Sequence, residues 1–389
     1  MGPFGRLPRA SSFRSCVLVR TGGHIVLVGS GAFAGSVAVA LAARPSPVRV
    51  TVLARGLAAA TALALTCGVR AATDGTGVTF AAAELPGEPG ATPAVLAALR
   101  PDVLVCCASD HSPYERLARP SAWTDLVARS GFGVTLPLQA GLVSTLARSL
   151  AAACPDAVLV NGCLPDVVNP LLASLGLPVL CGIGNVATLA ACLRAATGPA
   201  DLAVLGHHAQ LAETGVEVRA WVGGAPVSGV TELLRPYRAL PRRELNAVGG
   251  HAAARLLVAL TDGTELGTSL PGPGGLPGGY PVRVAGRRIE PDLPAGVDLA
   301  EAVAWNLLAG APDGVEVSGG RVRHSARTAS ALADHLPELA DGWPVDALDE
   351  AGHRLRALRR RLRTTSTTST EEGPACSPRP AAPARSPAT

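Results

Sequence analysis

The hydrophobic pattern changes its period along the chain. Between residues 24 and 160, short β-branched runs alternate with longer Ala- and Leu-rich stretches. The runs 24–28 (HIVLV), 48–53 (VRVTVL), 78–82, 102–107 (DVLVCC) and 157–160 (AVLV) predict strands. The stretches ending at 43, 57–67, 93–100 and 139–153 predict helices, and 108–135 is a long mixed segment. Strands alternating with helices predict an α/β fold with a doubly wound parallel sheet covered on both faces. Right-handed crossovers then leave little topological freedom.

The second half is less regular. Helical patterns fall at 165–175, 186–196, 244–260 and 298–308. Strands are expected at 202–205, which runs into GHHAQ, and at 216–222, with a hairpin at 281–285 and 288–290. Residues 262–280, with PGPGGLPGG inside, predict a loop. These segments define an α+β unit. The division expected is a flexible or mis-assigned leader over 1–22, a first domain over 23–162, a second over 163–345, and a basic helix with a disordered tail over 346–389. The run HRLRALRRRLR at 353–363 is expected as a solvated helix end. The Thr-, Ser- and Pro-rich residues after it carry too few large apolar side chains to offset the entropy of ordering.

Composition narrows the chemistry. Of 389 residues, 48% are hydrophobic but only 3% aromatic, so the core must be aliphatic. Ala, Arg, Gly and Pro dominate in the manner of a GC-rich genome. There is no lysine, which excludes Schiff-base catalysis. The net charge of +4 is concentrated near the C-terminus, with no basic face before residue 353, so no nucleic-acid partner is expected. The nine cysteines show no C-x-x-C spacing; they read as buried small hydrophobes of a reducing cytoplasm, and no metal site is expected. The uncharged stretches 21–43 and 167–193 are broken by Gly, and the second also by Pro and Asn, so neither predicts a membrane span.

The first predicted strand runs into Gly29-Ser30-Gly31-Ala32-Phe33-Ala34, which matches G-x-G-x-x-G/A between a strand and a helix. The first glycine permits the turn and the second lets the backbone approach a pyrophosphate at the helix N-terminus. The second strand ends Val52-Leu53-Ala54-Arg55, with no carboxylate for a ribose 2′-hydroxyl. Arg55 suits a 2′-phosphate, favouring NADP slightly over NAD. Gly29, Ser30, Gly31, Ala32, Phe33, Arg55 and Ala108, which follows the fourth strand, are the expected cofactor contacts, joined by Asn161 from the resemblance below.

Several further segments resemble the lactate/malate dehydrogenase superfamily, in the right order over about 24–310. LQAGLVSTLARSLAAACPDAVLVNG (138–162) is similar to the helix and strand leading into its Asn-Pro motif, with Asn161 at the cofactor- and substrate-contacting Asn and Gly162 in place of the Pro. LGLPVLCGIGN (175–185), AVLGHHAQ (203–210), GGHAAARLLVAL (249–260) and the 275–303 segment follow. The resemblance implies an NAD(P)-binding domain, a small-molecule substrate, a homo-oligomer, and His208 as the acid–base residue; His207 beside it competes. His251 near the start of its helix is a second candidate and an expected substrate contact. Residues 108–135 take the place of the family's mobile loop; of Asp110, His111, Tyr114, Glu115, Arg116 and Arg119, the residues Arg116 and Arg119 are the expected substrate contacts.

The departures matter as much. Thr188 stands where the family has the Asp that orients the histidine, and Ala191 where it has the carboxylate-binding Arg. Without these groups a histidine loses its orientation and a 2-hydroxy acid its planar clamp. The sequence therefore predicts an NAD(P)-dependent oxidoreductase acting on a carbonyl or alcohol other than lactate or malate. A catalytically degenerate nucleotide-binding scaffold, serving a partner enzyme of a biosynthetic pathway, is the second reading. A third, the related metal-dependent glycosidases with Cys163 and His208 as ligands, lacks the metal-site context.

Overall fold

The computed structural model describes residues 22–88, 90–198, 201–212 and 214–364. The expected leader, apart from residue 22, and the expected disordered tail beyond residue 364 lie outside the described residues. β1 (His24–Val28), β2 (Arg49–Ala54), β3 (Thr79–Glu84), β4 (Val103–Cys106), β5 (Val158–Asn161) and β6 (Cys181–Gly182) form one parallel sheet. Its order is β3-β2-β1-β4-β5-β6. Order reverses between β1 and β4, and a crevice opens there at the carboxyl ends of the strands.

The strands β1, β2 and β4 are buried because both faces are covered, while the edge strand β3 stays partly exposed. Ile25 and Leu27 pack on one side with Val37 and Leu41 of α1 (Ala32–Ala42) and Leu257 of the long helix Arg242–Asp262. α2 (Leu57–Asp74) adds Cys67 and Ala71 to that face. Val26 and Leu104 pack on the other side with Leu96 of α3 (Thr92–Leu99) and Leu146 of the helix Leu136–Ala153. Alternate side chains of one strand thus serve two cores. The helix Arg242–Asp262 approaches α1 closely because Gly250 is there: a Cβ would come 2.6 Å from the Ser36 carbonyl carbon.

The second half builds three small antiparallel sheets among the described residues. One of them, Leu266–Pro271 against Gly279–Ala285 and Arg288–Pro291, corrects the expected loop over 262–280. Leu266–Pro271 reads LGTSLP, which has no apolar alternation; pairing across the sheet, and a buried Ser269 hydroxyl that accepts the Val204 amide at 3.2 Å, hold it as a strand. Another comprises Val315–Ser318, Arg321–His324 and Gly342–Pro344.

The expectation of a solvated basic helix is overturned. Leu348–Thr364 is a helix whose Leu348, Ala351, Leu355, Leu358 and Leu362 are buried. These positions repeat at three and four residues and form one apolar stripe. Leu348 and Ala351 join the core that contains Val26 and Leu104, so the C-terminal helix packs back onto the first half. The run that reads as charged is amphipathic, and its arginines find carboxylates inside the molecule.

The two uncharged stretches resolve into short elements: β1, a turn and α1 in one; the helix Val168–Ser174, β6 and the helix Asn185–Thr197 in the other. No helix among the described residues is long and apolar enough to cross a membrane.

Candidate functional site

A cleft of about 820 Å³ opens over the carboxyl ends of the central strands. Its floor is the turn between β1 and α1. Gly29 has φ +117°, a backbone conformation that disfavours any side chain, and a Cβ there would meet Ala108 and Cys107 at 3.2 Å. Its amide donates to Leu53 O at 2.9 Å, which ties the turn to β2. Gly31 caps α1 without a side-chain hydrogen bond. The first amides of that helix therefore point at the cleft with no intrahelical acceptor, the arrangement that receives an anion. Exposed Arg55 lines the cleft just past β2. Glu84, in register with Ala54 on β3, does not line it.

The other end of the cleft is roofed by residues 108–114. His111 is buried, edge-on to Trp123 at 5.7 Å and tilted against Phe132. Its Nδ1 lies 2.9 Å from Glu115 Oε2. Glu115 is claimed by the C-terminal helix: Arg359 Nη2 and Arg363 Nε each donate to it at 2.6 Å. Arg356 Nε donates to Asp110 at 3.0 Å, and Arg359 also donates to the Asp110 carbonyl. Burial, with Arg359 and Arg363 acting against Glu115, pushes His111 down to about 4. Burial raises the Glu115 carboxyl, but the two arginines outweigh it and hold it below the ordinary range. Tyr114 closes the roof: its hydroxyl donates to Asn246 Oδ1 at 3.1 Å and accepts from Nδ2 at 2.9 Å, joining the segment to the helix Arg242–Asp262. Arg242 and Asn185 line the cleft beneath that contact.

Beside the cleft lies a cluster of histidines and carboxylates. His207 and His208 follow the strand Leu202–Leu205, with ring centroids 4.5 Å apart. His208 Nε2 is 2.6 Å from Asp313 Oδ2, and its amide donates to Asp166 Oδ2 at 2.9 Å. Burial pulls the His208 pKa down, but Asp313 and Asp166 together raise it to about 9. Burial and the neighbouring His208 lower that of His207. Burial raises the Asp313 carboxyl, and His208 more than reverses this. His207 and Asp313 line a second cavity of about 390 Å³, which shares no lining residue with the first.

The structure thus gathers Gly29, Ser30, Gly31, Ala32, Phe33, Arg55 and Ala108 around one cleft. It places other expected residues elsewhere. The His208 ring is turned to Asp313 and does not line the cleft, although its carbonyl accepts from Asn185 Nδ2 at 3.4 Å. Asn161 is committed inward: Oδ1 accepts the Cys163 amide at 2.9 Å, and Nδ2 donates to Asn169 at 2.8 Å. Gly162 and Cys163 line the cleft in its place. Arg116 is exposed, 3.8 Å from Asp125, and Arg119 is exposed as well. His251 faces outward near Arg44 and Arg255.

Thr188 donates to Gly184 O at 3.1 Å, so the side chain at the family's Asp position is spent within its own helix. Asp313 supplies His208 with a carboxylate from a distant segment, and holds its ring outside the cleft lining. No local signal marks Asp313. Arg242 and Asn246 lie where the helix expected over 244–260 begins, and the sequence carries no signal that this end meets the cleft.

Among solved structures, the chain is similar to the apo malate dehydrogenase from Picrophilus torridus, at 14% identity and TM-score 0.54 over 80% of this chain and 97% of that one. It is similar to the minor L-lactate dehydrogenase from Enterococcus mundtii, at 16% identity and TM-score 0.51 over 75% and 96%. A lactate dehydrogenase from a Medee basin deep-sea metagenome library gives 14% identity and TM-score 0.53 over 75% and 97%. No family model and no curated protein matches the chain. The chain has the lactate/malate dehydrogenase fold, and at these identities the likeness extends to the fold alone.

Proposed function

We propose that this chain, built on the lactate/malate dehydrogenase fold, is an NAD(P)-linked oxidoreductase acting on a small carbonyl or alcohol other than lactate or malate. The observation that carries the reading is the Gly29–Phe33 turn at the point where strand order reverses, with free helix amides and Arg55 along one cleft. These residues suit a dinucleotide: the amides suit its pyrophosphate and Arg55 a 2′-phosphate, with NAD the other cofactor the cleft accommodates. A bound nicotinamide would supply hydride exchange with the substrate carbon. The chain's own part is to bind and orient the substrate. Arg242 offers a cation at the roofed end, beside the hydrogen-bonded pair of Tyr114 and Asn246. Ala191 provides no fork for a 2-hydroxy acid carboxylate, which argues against lactate and malate.

A second reading, a nucleotide-binding protein without turnover, draws on one observation: the His208 ring engages Asp313 outside the cleft lining. A proton donor for hydride chemistry must reach the reacting oxygen.

Nicotinamide fluorescence during titration with NADPH and NADH tests both. Saturable binding is expected, with Arg55→Ala weakening NADPH by about 10-fold or more, the worth of a charge-assisted contact, and leaving NADH within about twofold. No saturation with either cofactor would refute dinucleotide binding. Binding without product across a carbonyl panel, unchanged by His208→Ala, would select the second reading.

A further inference from the structure

We propose that His207, His208 and Asp313 form a site for a divalent zinc-type transition-metal ion, separate from the dinucleotide cleft. The three side chains are buried, and their ligand atoms lie within 4.8 Å of one another. They come from two segments about a hundred residues apart, and Asp166, after β5, adds a second buried carboxylate. His207 Nε2 stands 3.8 Å from Asp166 Oδ2 and 3.9 Å from Asp313 Oδ2. These distances are too long for hydrogen bonds. They are close to the ~3.4 Å that separates ligands around a tetrahedral ion with bonds of about 2.1 Å.

Charge points the same way. Two buried carboxylates, Asp313 and Asp166, lie beside the two buried imidazoles. A dication held by neutral imidazoles balances the charge of the two carboxylates. Imidazole with carboxylate selects zinc, cobalt, manganese or iron over magnesium and calcium. Room is left because residue 310 is glycine: a Cβ there would come 3.0 Å from His207 Nε2.

Binding has a cost. The ion displaces the 2.6 Å bond between His208 and Asp313, and the 3.3 Å bond from the Ala209 amide to His207 Nδ1 gives way as that nitrogen takes the ring proton. The second cavity gives an entry path, and an open coordination position facing it leaves space for water or a small anion.

The test uses untagged full-length chain, stripped with chelator and titrated with Co(II). One ion per chain by mass spectrometry is expected, with the visible absorption of a four- or five-coordinate site. Paramagnetically shifted N–H signals from two imidazoles are expected in the wild type, a readout that needs no variant. His207→Gln and Asp313→Asn, each checked for fold by circular dichroism, should bind at least about 100-fold more weakly, beyond the loss typical of an outer-shell partner. Cys163→Ser should bind as the wild type does. Absence of cobalt and zinc binding at micromolar concentrations, absence of shifted imidazole signals, or undiminished binding in both folded variants would overturn the proposal. None of these readouts depends on a dinucleotide.

Discussion

His111 and His208 are both buried against a carboxylate, yet they lie on opposite sides of neutrality. His111 sits 2.9 Å from Glu115 and is pushed down to about 4. His208 sits 2.6 Å from Asp313 and is raised to about 9. Burial alone would lower both. What differs is the rest of each carboxylate's company. Glu115 is already answered by Arg359 and Arg363, whose charges repel a proton on His111. Asp313 has His208 as its closest cation, and Asp166 adds a second negative charge. One region keeps a neutral imidazole at the cleft and uses its arginines to fasten the roof; the other holds a charged imidazole out of the cleft.

The sharpest way to break this comparison is Glu115→Ala. It takes from Arg359 and Arg363 the carboxylate they share and leaves the roof tied to the C-terminal helix through Asp110. Removing one member of a buried charge network costs about 3–5 kcal/mol, and Arg363, being one-third exposed, moves the expectation toward the lower end. Urea unfolding at neutral pH measures it; a loss under about 1 kcal/mol would mean that solvent already screens the network.

Next in size is a pH effect. His111 has a folded pKa below its unfolded value, so between about 6.5 and about 4 the unfolded chain binds the proton and the folded chain does not. Stability from this residue is present above that window and is lost as pH falls through it, by on the order of 3 kcal/mol. Glu115, also depressed, acts in the same direction at lower pH. Unfolding free energies from pH 7 to 4.5 should fall more steeply in the wild type than in His111→Gln. Equal slopes would show that His111 titrates normally.

The two regions also differ in how far the sequence reveals them. The sheet and the Gly29–Phe33 turn are written locally, in β-branched runs and in a spacing that only a strand–turn–helix accommodates. Arg55 and Ala108 follow because they end neighbouring strands. The histidine cluster is not local: His208 and Asp313 meet through the packing of the helix Leu299–Gly310 and the turn after it. The C-terminal arginines misled for a related reason. Eleven residues dense in Arg look solvated until the leucines at 355, 358 and 362 are placed on one stripe and carboxylates at 110 and 115 are placed opposite. Charge density is visible along a chain, whereas charge pairing across a fold is not.

The smallest expected effect separates the roof from its outer surface. Arg116 and Arg119 share a segment with His111 and Tyr114, and the resemblance to the dehydrogenases favours them as substrate contacts. Their side chains are exposed, and Arg116 stands 3.8 Å from Asp125, a surface pair worth less than about 0.5 kcal/mol. Arg116→Ala and Arg119→Ala should leave stability within that range and NADPH affinity within about twofold. Arg242→Ala, at the roofed end, should weaken the binding of any anionic substrate by about 10-fold or more, since a charge-assisted hydrogen bond is worth about 1.5–3 kcal/mol. The comparison would reverse if Arg116→Ala produced the larger loss: the roof would then have to swing so that its outer arginine enters the cleft, and the Tyr114–Asn246 contact would belong to one of two positions of that segment.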